Sequence, residues 1–174
     1  MANIFFKNSQ LVLTQPFGAN ADYYSNASNG RLRWHEGDDY IPKDLSDWTI
    51  YSPVNGYVWV DVDLPRDGGA YGNHIAIVAP TERLVLFFCH MSENFIEPGQ
   101  WVSPEEPIGI MGNTGNVMGK KEHPDIPNYG AHVHFMLYPW YEKPDNRLDW
   151  NNGTLGMVNP GPFIREWGCE VTKR

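Results

Sequence analysis

The chain is punctuated from end to end by 17 glycines and 14 prolines, which leave few uninterrupted windows long enough for a helix. Between these breaks the apolar residues alternate. Val58, Val60 and Val62 read as one strand face, with Tyr57, Trp59 and Asp61 on the other. Ile75 and Ile77 oppose His74, Ala76 and Val78, and Leu84, Leu86, Phe88 and His90 oppose Val85, Phe87 and Cys89. Turn clusters at Pro53–Gly56, Pro65–Gly69, Pro98-Gly99 and Gly112–Gly115 separate the runs. Short alternating runs between regular turns predict a mainly β chain with few or no helices, arranged as a sheet, sandwich or barrel.

With 174 residues, no linker and no internal repeat, residues 1–174 read as a single domain. Residues 116–130, which include Pro124 and Pro127, read as a long loop leading into a strand around His132. Residues 139–174 hold Pro139, Pro144, Pro160 and Pro162 and read as an irregular closing segment. Lys plus Arg number 13 and Asp plus Glu 21, a net charge of −8 with no basic cluster. That balance argues against nucleic acid as a partner and gains nothing at an anionic surface. No apolar run approaches a membrane span, so no membrane insertion is expected. Met1–Gln15 contains two short apolar bursts but lacks the continuous apolar core of a signal peptide, which implies another export route or a chain that starts after its signal. Cys89 and Cys169 read as small buried residues.

Three stretches carry chemistry. In Ala131-His132-Val133-His134-Phe135, a strand would turn His132, His134 and Met136 to one side and send Val133, Phe135 and Leu137 into a core. In Trp34-His35-Glu36-Gly37-Asp38-Asp39-Tyr40, His35 and Asp39 are four apart, but Gly37 and the absence of a helical apolar period favour a loop or bent strand. Phe88-Cys89-His90-Met91 ends a strand pattern. Two histidines and one carboxylate supply an open zinc site, and two further histidines could move a proton and steady a developing oxyanion. The same donor set also suits a non-haem iron oxygenase. No Gly-x-Ser-x-Gly, P-loop or dinucleotide glycine pattern is present.

Taken in order, these stretches resemble the lysostaphin-like (LytM-type) zinc metalloendopeptidases that cut peptide bonds in bacterial peptidoglycan. The likeness runs from about Leu13 to Tyr138, the expected core of the domain. Leu13–Gly18 is similar to the opening strand and Phe-Gly, and His35-x-Gly-x-Asp39 to the first metal motif. Ser52–Val58 resembles a hairpin, Tyr71–Ile75 the start of the next strand, and Phe88–Met91 the Tyr-Ala-His-Leu position. Ile108-Gly109, Gly112–Gly115 and His132–Phe135 complete the series. The resemblance implies an antiparallel sheet forming an open groove with the metal at its floor. It implies one Zn2+ per chain held by His35, Asp39 and His134, with His90 and His132 as the catalytic pair. Peptidoglycan stem or bridge peptides would be the partners. Action on the cell wall from the periplasmic or extracellular face would follow, from a phage-derived protein or an excised catalytic domain. A catalytically silent peptide-binding or activator domain of the same fold is the alternative.

Several departures carry expectations of their own. Glu105 stands where a turn glycine is usual, so that turn should differ, and Ala131 replaces a common proline. The 116–130 insert should overhang the groove, and its His123 and Asp125 are a candidate second metal pair. His74 reads as a strand-surface residue, and Glu36 and Asp38 as solvated charges flanking the metal motif.

Overall fold

A computed structural model of the chain describes residues 5–7, 9–62, 69–140 and 154–173. Residues 1–4, the turn starting at Pro65, the stretch around Pro144 and the side chain of Val62 lie outside the described set. In chain order the elements are β1 (Leu11–Gln15), α1 (Ala21–Ala27), β2 (Asp38–Pro42), β3 (Thr49–Tyr51), β4 (Gly56–Val62), β5 (Asn73–Ala79) and β6 (Leu84–Met91). There follow β7 (Glu93–Asn94), β8 (Trp101–Val102), β9 (Pro107–Ile110), α2 (Met118–Glu122), β10 (Val133–Pro139), α3 (Gly161–Glu166) and β11 (Val171–Lys173). The chain is thus mainly β, with only short helices.

One large sheet runs in the order β11-β1-β2-β10-β6-β5-β4-β8, and a small one runs β3-β9-β7. Neighbours are antiparallel except for β1 and β11, which pair in parallel. The alternation assigns the two faces of the large sheet. Ile75, Ile77, Leu84, Leu86, Phe88, Val133, Phe135 and Leu137 enter one core, shared with Ile50 and Ile108 of the small sheet. Phe135 lies at its centre, edge-on to Phe5 at 4.8 Å and tilted against Phe88 at 5.1 Å. Burying such a ring contributes about 2–3 kcal/mol. Ala76, Val78 and Val85 cover part of the opposite face, and Cys89, Met136 and Met157 form a second apolar cluster there. Both cysteines are buried.

The structure departs from simple alternation at bulges. In β4, Val58 pairs with Ile77 and Val60 with Ala76, so Trp59 is an extra residue. Val58 therefore faces the main core while Val60 joins the other face, and the three valines do not share a face as their spacing implied. In β6, Ile75 pairs with Phe88 and Asn73 with Met91, which sets Cys89 and His90 against His74 alone. His90 has φ +63°, which turns it off the face of Phe88 and lets Met91 return to the core. A bulge adds a residue and re-aims the side chains beside it, so counting by twos fails across it.

The closing segment is not wholly irregular. It carries α3, which buries Ile164, and β11, whose Val171 pairs with Leu11. Likewise the 116–130 loop contains the single helical turn α2. At Glu105 the turn does not abandon glycine geometry: the residue sits at φ +66°, exposed, with its N–H donated to the Ser52 carbonyl at 2.9 Å. A non-glycine residue held left-handed costs roughly 1–2 kcal/mol. Substituting Glu105→Gly should therefore raise stability by about 0.5–1 kcal/mol once the larger chain entropy of glycine is set against that relief. A urea midpoint that rises with unchanged slope is the expected result, and an unchanged or lower midpoint would show that the turn carries no such strain.

Candidate metal centre

Strand pairing brings together residues that the sequence keeps far apart. β10 lies between β2 and β6, with His134 directly opposite Asp39 on one side and Cys89 on the other. His35 precedes β2 and is fixed by the turn after β1: its N–H donates to the Ala19 carbonyl, and its own carbonyl accepts from Gly18 N–H. Gly37 lets this segment cross β10 closely, since a Cβ there would sit 2.5 Å from the Phe135 carbonyl oxygen and 2.9 Å from His134 Cε1.

Three donor atoms converge. His134 Nδ1 lies 2.9 Å from Asp39 Oδ1 and 3.0 Å from His35 Nε2, and His35 Nε2 lies 3.2 Å from Asp39 Oδ1. Among the described residues this is the one group of three or more ligand-type side chains close enough to share an ion. A tetrahedral zinc with N and O ligands at about 2.0–2.1 Å has ligand-to-ligand edges of roughly 3.3 Å. The triangle matches that size, and its two imidazoles and one carboxylate are a donor set that zinc accepts.

His90 and His132 stand beside this triangle. Their ring centroids are 4.8 Å apart, and His90 lies 5.8 Å from the His134 ring. His132 Nε2 is 3.6 Å from Asp39 Oδ1. Both rings are anchored through Nδ1, to the Thr114 carbonyl for His90 and to the Gly130 carbonyl for His132, each at 2.8 Å. With Nδ1–H donating, Nε2 is the unprotonated nitrogen left for the site. The Gly112–Gly115 turn builds the first anchor. Thr114 Oγ1 donates to the Met91 carbonyl at 2.8 Å and accepts from Asn73 N–H at 2.9 Å, tying β5 to the end of β6. Gly72 and Gly115, both at positive φ, pass so closely that a Cβ on either would strike the other's strand.

Charge is balanced inside the cluster. Burial raises the Asp39 carboxyl, but His132, His134 and His35 outweigh it and hold the group well below the usual carboxylate range. Burial disfavours charge on His35, yet the hydrogen bond and charge of Asp39, with the Pro16 carbonyl on Nδ1 at 3.1 Å, raise it overall. His90 is pushed down to about 3, by burial first and then by His132 and His134, so it is a neutral imidazole at physiological pH. Burial, followed by the charges of Asp39 and Glu36, raises the Tyr24 phenol, and burial with Glu36 raises that of Tyr71.

All five residues singled out in the sequence therefore meet at one place: Asp39, His90, His132 and His134 line a cavity of about 260 Å³ whose wall includes Val117, Met118 and Gly119 of the 116–130 insert, and His35 is buried behind them. Glu36 and Asp38 are not solvated. Glu36 is 4% exposed and accepts a hydrogen bond from Tyr71 Oη at 3.2 Å. Asp38 is 3% exposed and accepts from Phe17 N–H at 2.6 Å and Tyr40 Oη at 2.7 Å. A charge in a motif reads as solvated only until the chain folds back over it. His123 stacks against Tyr129 at 4.3 Å and, with Asp125, joins no metal-sized group among the described residues. His74 is half-buried, its Nδ1 on the Gly72 carbonyl at 2.8 Å. Tyr24, which also lines the cavity, had no sequence signal, and Gln15 and Tyr71 were visible only as members of the Leu13–Gly18 and Tyr71–Ile75 stretches.

The profile of peptidase family M23 matches residues 33–147, more than half of the chain. No curated protein sequence matches it. Solved structures with the same fold include LytU, at 22% identity and a TM-score of 0.58, covering 93% of this chain and 88% of that one. A mutant of the catalytic domain of the prophage-encoded M23 protein EnpA from Enterococcus faecalis shows 20% identity and a TM-score of 0.56, over 87% and 89% of the two chains. A zinc containing peptidase from Vibrio cholerae shows 23% identity and a TM-score of 0.50, and this chain spans only 36% of its length. Family profile, sheet topology and clustered donors agree: the chain belongs to peptidase family M23, whose fold is of the LytM type.

Proposed function

We propose that this protein is a zinc-dependent endopeptidase that hydrolyses peptide bonds in the stem or bridge peptides of bacterial peptidoglycan. One observation carries the reading: a triangle of two imidazoles and a carboxylate with 2.9–3.2 Å edges, flanked on its open side by two further histidines anchored through Nδ1. His35, Asp39 and His134 would hold one zinc per chain, and His90 and His132 would be the catalytic pair. Residues 1–174 are taken as one catalytic domain. Family membership and the likeness to peptidases such as the prophage-encoded EnpA support a site of action at the cell wall, from the periplasmic or extracellular face.

Zinc bound here would supply a Lewis acid that makes water nucleophilic near neutral pH and polarises a peptide carbonyl. The protein supplies the rest. The Nε2 of a neutral His90 or His132 can accept the proton that water loses. The ring that has taken that proton can then donate it to the departing amide nitrogen, while the Nε2 of the partner ring helps to hold the water in place. Anchoring each Nδ1 to a backbone carbonyl sets the tautomer that this division requires. The wall formed by 116–119 narrows the cleft over the site and excludes part of the solvent.

Asp39→Ala should abolish stoichiometric zinc binding, measured as metal per chain after dialysis against a weak chelator, and with it chelator-sensitive release of peptides from purified cell walls. Retention of one tightly held zinc in that variant would overturn the ligand assignment. His90→Ala and His132→Ala should keep one zinc per chain while losing about 10²–10⁴-fold in turnover of wall peptides. Near-normal turnover in either variant, followed by mass spectrometry of the released fragments, would remove that residue from the mechanism.

A further inference from the structure

We propose that Glu36, steadied by Tyr71, is the buried acceptor that orients the His134 imidazole, making it a positioning residue for the metal centre. The inference rests on the reading of His134 as a zinc ligand. His134 differs from His35: it turns Nδ1, not Nε2, into the triangle. A neutral imidazole that ligates through Nδ1 carries its proton on Nε2. That Nε2 is buried and has no hydrogen-bond partner among the described residues. Leaving such a buried donor unpaired is unfavourable.

What faces it is Glu36. Its Oε1 lies 3.9 Å from His134 Nε2, and its Oε2 is also buried without a partner. The unpaired Nε2 thus faces a carboxylate that already holds Tyr71 on the nearer oxygen and has its other oxygen free, across a gap that a shift of about 1 Å would close to hydrogen-bond length. The surroundings hold both in place. Tyr71 Oη donates to Glu36 Oε1 at 3.2 Å, and the Tyr71 ring lies parallel to that of His134, 6.0 Å between centroids and 8° between planes. The Gly37 backbone also passes near the ring, so that a Cβ there would sit 2.9 Å from His134 Cε1. The side chain that could serve only the fold, by accepting from Tyr71, is also the one placed to fix which nitrogen of His134 meets the metal.

The test compares Glu36→Met and Glu36→Gln with wild type, reading zinc affinity by competition with a chromophoric chelator and thermal unfolding of each metal-free protein. Glu36→Met removes the acceptor while keeping the volume. It should lose about 10–100-fold in zinc affinity, the usual effect of deleting a partner behind a ligand. The metal-free protein should be as stable as wild type or more so, because a buried polar group has gone. Glu36→Gln keeps an acceptor oxygen and should lose much less affinity than Glu36→Met. A purely structural role predicts the reverse, lower metal-free stability with affinity intact. If Glu36→Met does not fold, histidine 15N spectra of the zinc-loaded wild type decide: a slowly exchanging Nε2–H on His134 is expected, and rapid exchange would overturn the inference. Zinc binding by wild type and by Glu36→Met within twofold of each other would remove this inference alone. Failure of the wild type to bind zinc would remove the metal reading and this inference with it.

Discussion

The pairing of Asp39 with His134 across β2 and β10 is the contact on which the site depends. It sets a carboxylate among imidazoles at 8% exposure, a placement that burial alone would penalise by several kcal/mol. The surrounding histidines reverse that penalty and hold the carboxyl ionised. Register does the rest. Because Asp39 and His134 are directly opposite, a slip of one residue in either strand would turn that strand's member of the pair to the core face, where Tyr40, Val133 and Phe135 now pack. The hydrophobic core therefore specifies the donor triangle indirectly, by favouring one register.

The sheet is bent on purpose where it meets the site. Between Leu13 and Gln15 the pairing of β1 with β2 skips Thr14, whose Oγ1 donates instead to the Asp39 carbonyl at 3.1 Å, and Gln15 reaches the cavity wall. The second irregularity, at Cys89 and His90, brings a ring from the wrong parity onto the correct face. Histidine tolerates the left-handed region better than most residues, and the Thr114 carbonyl compensates by holding Nδ1. Regular strands would place His90 in the core beside Phe88. A cluster of histidines around a carboxylate on one pleated surface needs such departures, because the pleat alone supplies side chains on a face only at every second residue.

Much of this was legible in the sequence. Alternation at Ile75–Val78, Leu84–Phe88 and Val133–Leu137 assigned the two faces of the central strands correctly, since those stretches are long and unbulged. The five residues that the structure gathers, His35, Asp39, His90, His132 and His134, could be picked out by type and order. What could not be read has physical reasons. A bulge at Trp59 or His90 leaves no composition signal, because no glycine marks either position. The left-handed turn at Glu105 was missed for the same reason: the backbone keeps glycine geometry with a glutamate in it. Burial of Glu36 and Asp38 depends on Tyr71, Phe17 and Tyr40 folding back from distant positions, which no local pattern records.

Which ring nitrogen each histidine presents is the deepest of these hidden choices. Four histidines share one site, and each has its second nitrogen assigned by a different neighbour: Pro16 for His35, Thr114 for His90, Gly130 for His132, and the Glu36 carboxyl facing His134. Three of the four neighbours are backbone carbonyls, so any residue type at 16, 114 or 130 would offer the same acceptor and no side-chain motif can announce it. What the sequence sets at those positions is backbone shape, through Pro16, through Gly112 and Gly115 around Thr114, and through Gly130 at φ +74°. The chemistry of the imidazoles is thus written in the turn residues of the chain, and the glycines and prolines that limit helices are the same ones that decide where each proton sits.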